Sequence, residues 1–414
     1  MKMKLLKSLL IAVLITVPVL ADGGSLYTRK GIGDLYFALS ARRLALGGGG
    51  IALNSTNDIS ILNPASWFSI KKTRFDAGLF VNNLYLESSS SSVKYSQTNL
   101  YGFSFAAPID TANGIVFAGG LTPYSNVFYE VEYRKTDQYV GDYSASYEGN
   151  GGINKLFFGL TAKLPLNFVL GAAFEYYYGE IEYNSSMTID DDEFYNGIFT
   201  NSNNYQGRGI NVGILSPDLS SIFGTDDITN FRIGAAVDYI FSMKRDSSEI
   251  SGNSDSTYIS YSVNQTIDVP TRFSFGAAMK LFKRYQVVAD YIYQPFEQYK
   301  VDGTKPGIYQ NLHRISGGLE YTNPSPKKDS FWDRIALRLG FSYEQSQYKM
   351  NGVSLSQYAI HAGFSIPLSS ENSIDVAFQY GKRGTTDNSL IKETFYNLDF
   401  GISLGELWFQ KIER

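Results

Sequence analysis

The chain has 414 residues, no cysteine, two histidines and a formal charge of −4. Without cysteine there is no disulfide framework, no thiol chemistry and no lipid-anchored N-terminal cysteine. Two histidines, His313 and His361, build neither a metal site nor a histidine-based catalytic group, and the mild acidity gives no reason to expect nucleic acid.

At the N-terminus, Lys2, Lys4 and Lys7 border the apolar run Leu5–Val19, and Val19-Leu20-Ala21 fits a small-residue cleavage site. This predicts a signal peptide over residues 1–21, removed after Ala21, with loss of three lysines taking the charge to −7. An uncleaved anchor is the alternative, which so short an apolar core disfavours. Residues 22–72 are too polar and glycine-rich for a membrane strand. Gly47–Gly50 suits a tight turn or a close backbone approach, and Asn63-Pro64-Ala65 stops a helix and fixes a turn. The segment is predicted to be an internal hatch.

From Thr73 onward the pattern has period two in runs of about ten residues, the signature of a transmembrane β-strand. Ile335, Leu337, Leu339, Phe341 and Tyr343 alternate with Arg334, Ala336, Arg338, Gly340, Ser342 and Glu344. About fourteen such runs are expected between residues 73 and 409, an even number as single-chain bacterial barrels require. Composition agrees: 31 Tyr, 28 Phe and 39 Gly with 18% charged residues suit aromatic girdles and a polar or packed lumen. The predicted fold is therefore an all-β, transmembrane antiparallel β-barrel over 73–414 in the outer membrane, around the hatch. Connections at 110–113, 165–167, 283–284 and 369–372 read as short periplasmic turns. Ser185–Asn204, Asp246–Asp255 and Gly384–Glu393 read as longer outward loops, and Ser216–Asn230 is an exception that accommodates a short helix, Asp218–Phe223. A soluble β-sandwich would alternate too, but at this length it would be split by linkers, and no linker composition occurs.

Alternation also assigns faces. Arg232, Asp238, Arg272, Lys280, Asp290, Arg314, Glu320, Arg338, Glu344, Asp375 and Asp399 point inward, with both signs present, so pairing across the wall or with the hatch is expected. Glycines on the same face make room for a plug. Phe194, Tyr195, Ile198 and Phe199 fall at helical spacing after the acidic run Asp190–Glu193, which suggests a short amphipathic helix on the outer face. The acidic run lacks the pattern of a calcium loop, and no Gly-Lys-Ser/Thr follows Gly47–Gly50 as in a phosphate loop. No metal, cofactor or catalytic centre is predicted.

Ser40-Ala41-Arg42, Gly47–Gly49 and Asn63-Pro64-Ala65 together resemble the N-terminal hatch of the FadL family, outer-membrane transporters of long-chain fatty acids and other hydrophobic compounds. The aromatic Trp408-Phe409 near the C-terminus resembles an outer-membrane assembly signal. The family resemblance implies passive uptake of a fatty acid-like ligand by a monomer in contact with outer-membrane lipid. It implies lateral release where the third strand is kinked, here Gly119, Gly120 and Pro123, and an outer hydrophobic groove at Phe194, Tyr195, Ile198 and Phe199. It further implies a gate within Asp22–Gly33, hatch movement around Asn63 and Pro64, and Arg42, Arg43, Lys71 and Lys72 as partners for a carboxylate. PorV-like shuttle proteins of the type IX secretion system carry a similar segment, so an assembly or shuttle protein is the alternative.

Overall fold

A run of strands that each alternate apolar and polar side chains has one stable outcome in a bilayer. Every backbone group must be paired, so the sheet closes on itself. The computed structural model describes residues 24–406, apart from 39, 90, 192–194, 254–255, 326–330 and 370. The signal peptide, Phe194 and Trp408-Phe409 lie outside the described residues.

Fourteen antiparallel wall strands follow one another around the barrel. They are β1 (Thr73–Glu87), β2 (Ser92–Asp110), β3 (Ile115–Asp137), β4 (Gly141–Lys163), β5 (Val169–Ile189), β6 (Gly197–Leu215) and β7 (Ile228–Asn253). Then come β8 (Thr257–Asp268 and Arg272–Leu281), β9 (Tyr285–Gln294 and Lys300–Val301), β10 (Leu312–Tyr321) and β11 (Ala336–Met350). The last three are β12 (Val353–Pro367), β13 (Ser373–Arg383) and β14 (Lys392–Glu406). Strands β8 and β9 are each interrupted once, at Pro270 and at Pro295, because proline supplies no ladder N–H. Closure is made by β14 on β1, from Glu406↔Thr73 to Lys392↔Glu87.

The lipid-facing rows are the exposed apolar ones, for example Leu156, Phe158 and Leu160 on β4 and Leu337, Leu339 and Phe341 on β11. Two predicted outer loops are mostly sheet. Within Ser185–Asn204, β5 runs to Ile189 and β6 begins at Gly197; within Asp246–Asp255, β7 runs to Asn253. Above the membrane the outward face no longer needs apolar residues, so the sequence pattern fades while the ladder continues. The same extension removes the amphipathic helix suggested for 194–199. Ile198 and Phe199 are strand residues paired to Ser186 and Ser185, and consecutive strand residues face opposite ways. On the turn side, residues 216–230 hold a short 3-10 helix, Ser220–Phe223, one turn of the helix expected there.

Candidate functional site

Residues 24–70, residue 39 apart, form a segment enclosed by the barrel. The half nearer the short turns is filled by Ser40–Ser69, which includes the one-turn helix α1 (Ala41–Ala45) and the 3-10 helix Pro64–Ser69. Ser40 caps α1 by accepting from the Arg43 N–H, and Asn63 caps the second helix by accepting from the Ala65 N–H. The wall meets this plug with its inward glycines. A Cβ at Gly340 would lie 2.3 Å from Gly47 N, one at Gly171 2.3 Å from Ala65 N, and one at Gly318 2.6 Å from Leu46 O. Inward Gly213 sits against Asn63 and Gly363 against Ala45 in the same way. Close approach here is steric; any side chain would displace the plug.

Charge then fixes what glycine admits. Arg42 makes a two-pronged contact with Glu320, at 3.0 and 2.9 Å, and Arg338 donates to the same carboxylate at 2.6 Å and to Asp375 at 3.0 Å. Arg43 is 2% exposed; it pairs with Asp58 at 2.6 Å and donates to Gly50 O at 2.7 Å. Arg314 pairs with Glu344 at 2.7 Å and donates to Gly47 O at 2.9 Å. Asp290 accepts from the N–H groups of Gly50 and Ile51 at 2.6 and 2.8 Å. Buried pairs of this kind contribute little net stability, but removal of one partner strands the other. They therefore set position more than affinity. Two cavities of about 20 Å³ each, one beside Arg43 and one beside Arg42, lie between plug and wall, each with room for one water.

Nearer the outer side, Leu26–Arg29 forms a short 3-10 helix and Asp34–Leu35 a two-residue strand. Arg383 holds this segment, pairing with Asp34 at 2.7 Å and with Glu393 at 2.7 Å, while Ser25 donates to Glu393 at 2.7 Å. The Tyr348 hydroxyl donates to Lys30 O and Gly33 O. A polar cavity of about 430 Å³ opens above, lined by Arg29, Tyr183, Asn201, Arg245 and others.

The wall is split beside this segment. Strand β3 pairs with β4 along its whole length, from Val116↔Thr161 to Asp137↔Gly141, but with β2 only from Asp110↔Ile115 to Phe103↔Leu121. Two bulges cause the parting. Tyr101 is an extra residue on β2, turned inward onto Phe80, and Gly102 takes φ +84° just after it. Tyr124 is an extra residue on β3, buried against Tyr177 with ring centroids 4.9 Å apart. The N-terminal segment occupies the vacated edge of β3: Asp34 and Leu35 pair with Asn126 and Ser125, and Tyr36 N–H donates to Tyr124 O at 3.0 Å. Higher up, the Tyr95 hydroxyl donates across the split to Glu130 O at 3.1 Å.

The sequence-predicted residues fall as follows. Gly119 and Gly120 pair with Phe105 and Ser104 in the last joined stretch below the split, and Pro123 immediately precedes the Tyr124 bulge. Asn63 and Pro64 are buried under β5 and β6, with Asn63 Nδ2 donating to Ile51 O at 2.9 Å. Arg42 and Arg43 are engaged as above; Lys72 pairs with Glu371 of the β12–β13 turn at 2.7 Å, and Lys71 is exposed. Tyr195, Ile198 and Phe199 are exposed at the outer rim. Residues that sequence reasoning missed are Asp34, Arg383, Glu393, Tyr101 and Tyr124; the Phe80–Tyr101 and Tyr124–Tyr177 contacts join residues that no sequence spacing links.

These features define a class: a closed fourteen-stranded barrel of the outer-membrane type whose lumen holds its own N-terminal segment. Within that class the chain belongs to the BamG family, whose sequence model matches residues 1–413. The FadL expectation thus holds for the fold, while the matching family is BamG. No curated protein matches the chain. Among solved structures it is similar to the toluene transporter TbuX of Ralstonia pickettii, at 14% identity and a TM-score of 0.60, over 89% of this chain and 99% of that one. The toluene transporter TodX of P. putida gives 15% and 0.59, over 91% and 100%. A FadL homologue of Pseudomonas aeruginosa gives 13% and 0.58, over 88% and 97%. At such identities the likeness is one of fold.

Proposed function

We propose that the protein is an outer-membrane channel for passive movement of hydrophobic small molecules, described here in its closed state. The observation that carries this reading is the split between β2 and β3, filled by a short strand of the plug and not by the wall. Backbone groups at membrane depth must be paired. A two-residue strand is the weakest element able to pair them, and its withdrawal opens a side exit without breaking the barrel. Gly119, Gly120 and Pro123 mark the lower lip of that exit, and Asn63-Pro64 is the pivot about which the plug would move. Arg42 and Arg43, with Lys71 and Lys72 at the turn-side edge, act as the plug's charged anchors and gate. Tyr195, Ile198 and Phe199 would collect apolar ligand at the outer rim. Transport of toluene by proteins of the same fold supports the substrate class.

The density of the plug supports a second reading. A barrel sealed by so many buried ion pairs would act through its rim and outer wall, as a protein that receives or assembles other chains. Extraction of the protein purified in mild detergent, followed by mass spectrometry against an unrelated barrel prepared identically, separates the two. Enrichment of a specific lipophile supports the channel; no enrichment, with a protein copurifying, supports the second reading.

A further inference from the structure

Among the described residues, nine carboxylates are buried inside the barrel: Asp58, Glu175, Asp238, Asp290, Glu320, Glu344, Asp375, Glu393 and Asp399. Eight accept a hydrogen bond or an ion pair, from Arg43, Lys155, Arg272, the Gly50 and Ile51 amides, Arg42 and Arg338, Arg314, and Arg383. Asp399, 1% exposed, has no such partner among the described residues, and its Oδ2 is an orphan. An ionised carboxylate left alone in a protein interior is costly. Orphans of this kind call for a ligand, a water or a proton.

Asp399 is not isolated. Residues directly opposite one another on paired strands share a face. Register places Ala377, Asp399, Phe80 and Asn99 in one row across β13, β14, β1 and β2, and Gln379, Asn397, Asn82 and Gln97 in the row above. Asn82 Oδ1, Asn397 Oδ1 and Asn99 Nδ2 are buried and unpartnered as well. Three orphaned oxygens, one of them from a carboxylate, thus share the face of Phe80 in its own row and the row above. That ring packs against Tyr36 of the plug at 5.8 Å and against Tyr101, the bulge residue at the split, at 5.0 Å. Directly above lies an apolar cluster of Leu84, Leu86, Phe395 and Leu26.

We infer that this row is a binding site for an apolar molecule carrying an ammonium group, an alkyl or aryl amine. The inference rests on the channel reading and names its substrate class. An ammonium offers three N–H donors, matching the three orphaned oxygens in number, and the Phe80 ring adds cation–π attraction for the same charge. The Asn99 amide adds a fourth acceptor on turning over, since carboxamide N and O are assigned by their partners. A divalent metal is the poorer fit, because ring faces supply none of the six or more oxygens it takes. The guanidiniums of Arg42 and Arg43 are committed to Glu320 and Asp58, which leaves neither free for a fatty-acid anion, while the Asp399 carboxyl beside the exit has no cation of its own. An amine supplies that cation, and a fatty-acid anion does not.

The test is calorimetric titration of the mature protein, in an uncharged detergent, with 2-phenylethylamine, 3-phenylpropanoate and 2-phenylethanol. The amine is expected to bind at least ten-fold more tightly than the acid or the alcohol. Asp399→Asn is expected to bring it down to the level of the alcohol, and Asn82→Leu to weaken it several-fold. Asp399→Asn keeps the shape of the side chain and removes a carboxyl that has no cation partner, so folding is expected to persist, checked by heat-modifiable migration on a gel. Equal affinity for all three compounds, tighter binding of the acid, no amine binding, or displacement of the amine by millimolar calcium would overturn the inference. If the alcohol is carried into proteoliposomes while the amine shows no preference, the charge assignment fails and the channel stands. If no compound is carried yet the amine binds and Asp399→Asn abolishes it, the channel reading fails and the site stands.

Discussion

At the scale of single residues, the plug is placed by glycines that admit it and carboxylates that fix it. Glu320 is the shared acceptor of Arg42 and Arg338, so Glu320→Gln leaves two buried guanidiniums short of a counter-charge. A loss of about 3–5 kcal/mol is expected, read as a lower melting temperature and as faster proteolysis within residues 40–69. Gly340→Ala places a methyl 2.3 Å from Gly47 N and should destabilise by about 1–3 kcal/mol, where the same change at an inward position away from the plug would not. Asp58 gives a pH dependence. Burial pushes its carboxyl upward, but Arg43 and Arg42 outweigh burial and hold it below its usual value of 3.8. A group depressed in the folded state adds stability above its unfolded pKa and loses it as pH falls through the folded value. The plug should therefore resist protease at neutral pH and become cleavable only below about pH 4. Arg42 and Arg43 could be singled out in the sequence because charged pairs in so glycine-rich a segment are conspicuous. Alternation also put Glu320 in the lumen, but its match with Arg42 across 278 residues was not legible, because only closure of the barrel brings the two together.

Among the elements, the third wall strand carries the proposed exit. Its alternation, glycines and proline were legible, because proline and paired glycines weaken a ladder wherever they occur. The parting from β2 was not legible. It depends on one inserted residue on each strand, Tyr101 and Tyr124, and an insertion shows only against a partner's register. The outer hairpins were read short for a related reason: beyond the lipid both faces turn polar and the period-two signal fades, although Met187↔Gly197 and Gly197↔Asn253 show the ladder continuing. Deletion of residues 22–36 removes the strand that completes the β3 edge. That variant should fold and run as a heat-modifiable barrel, but admit small apolar compounds several-fold faster than the full chain in a proteoliposome assay.

For the whole molecule, strand number, closure and lumen lining follow from alternation and from the demand that a bilayer makes on every backbone amide. The low identity to toluene transporters of the same fold shows that one barrel architecture accommodates very different sequences. In the proposed mechanism the Asp34–Leu35 strand is the door of a lateral exit. Because the chain has no cysteine, a single engineered pair, Leu35→Cys with Ser125→Cys, can fasten that strand to β3 at positions that already face each other. Uptake of a fluorescent apolar compound into proteoliposomes is the measurement. Oxidation is expected to lower uptake at least ten-fold and reduction to restore it. Uptake unchanged between the oxidised and reduced forms would contradict the mechanism.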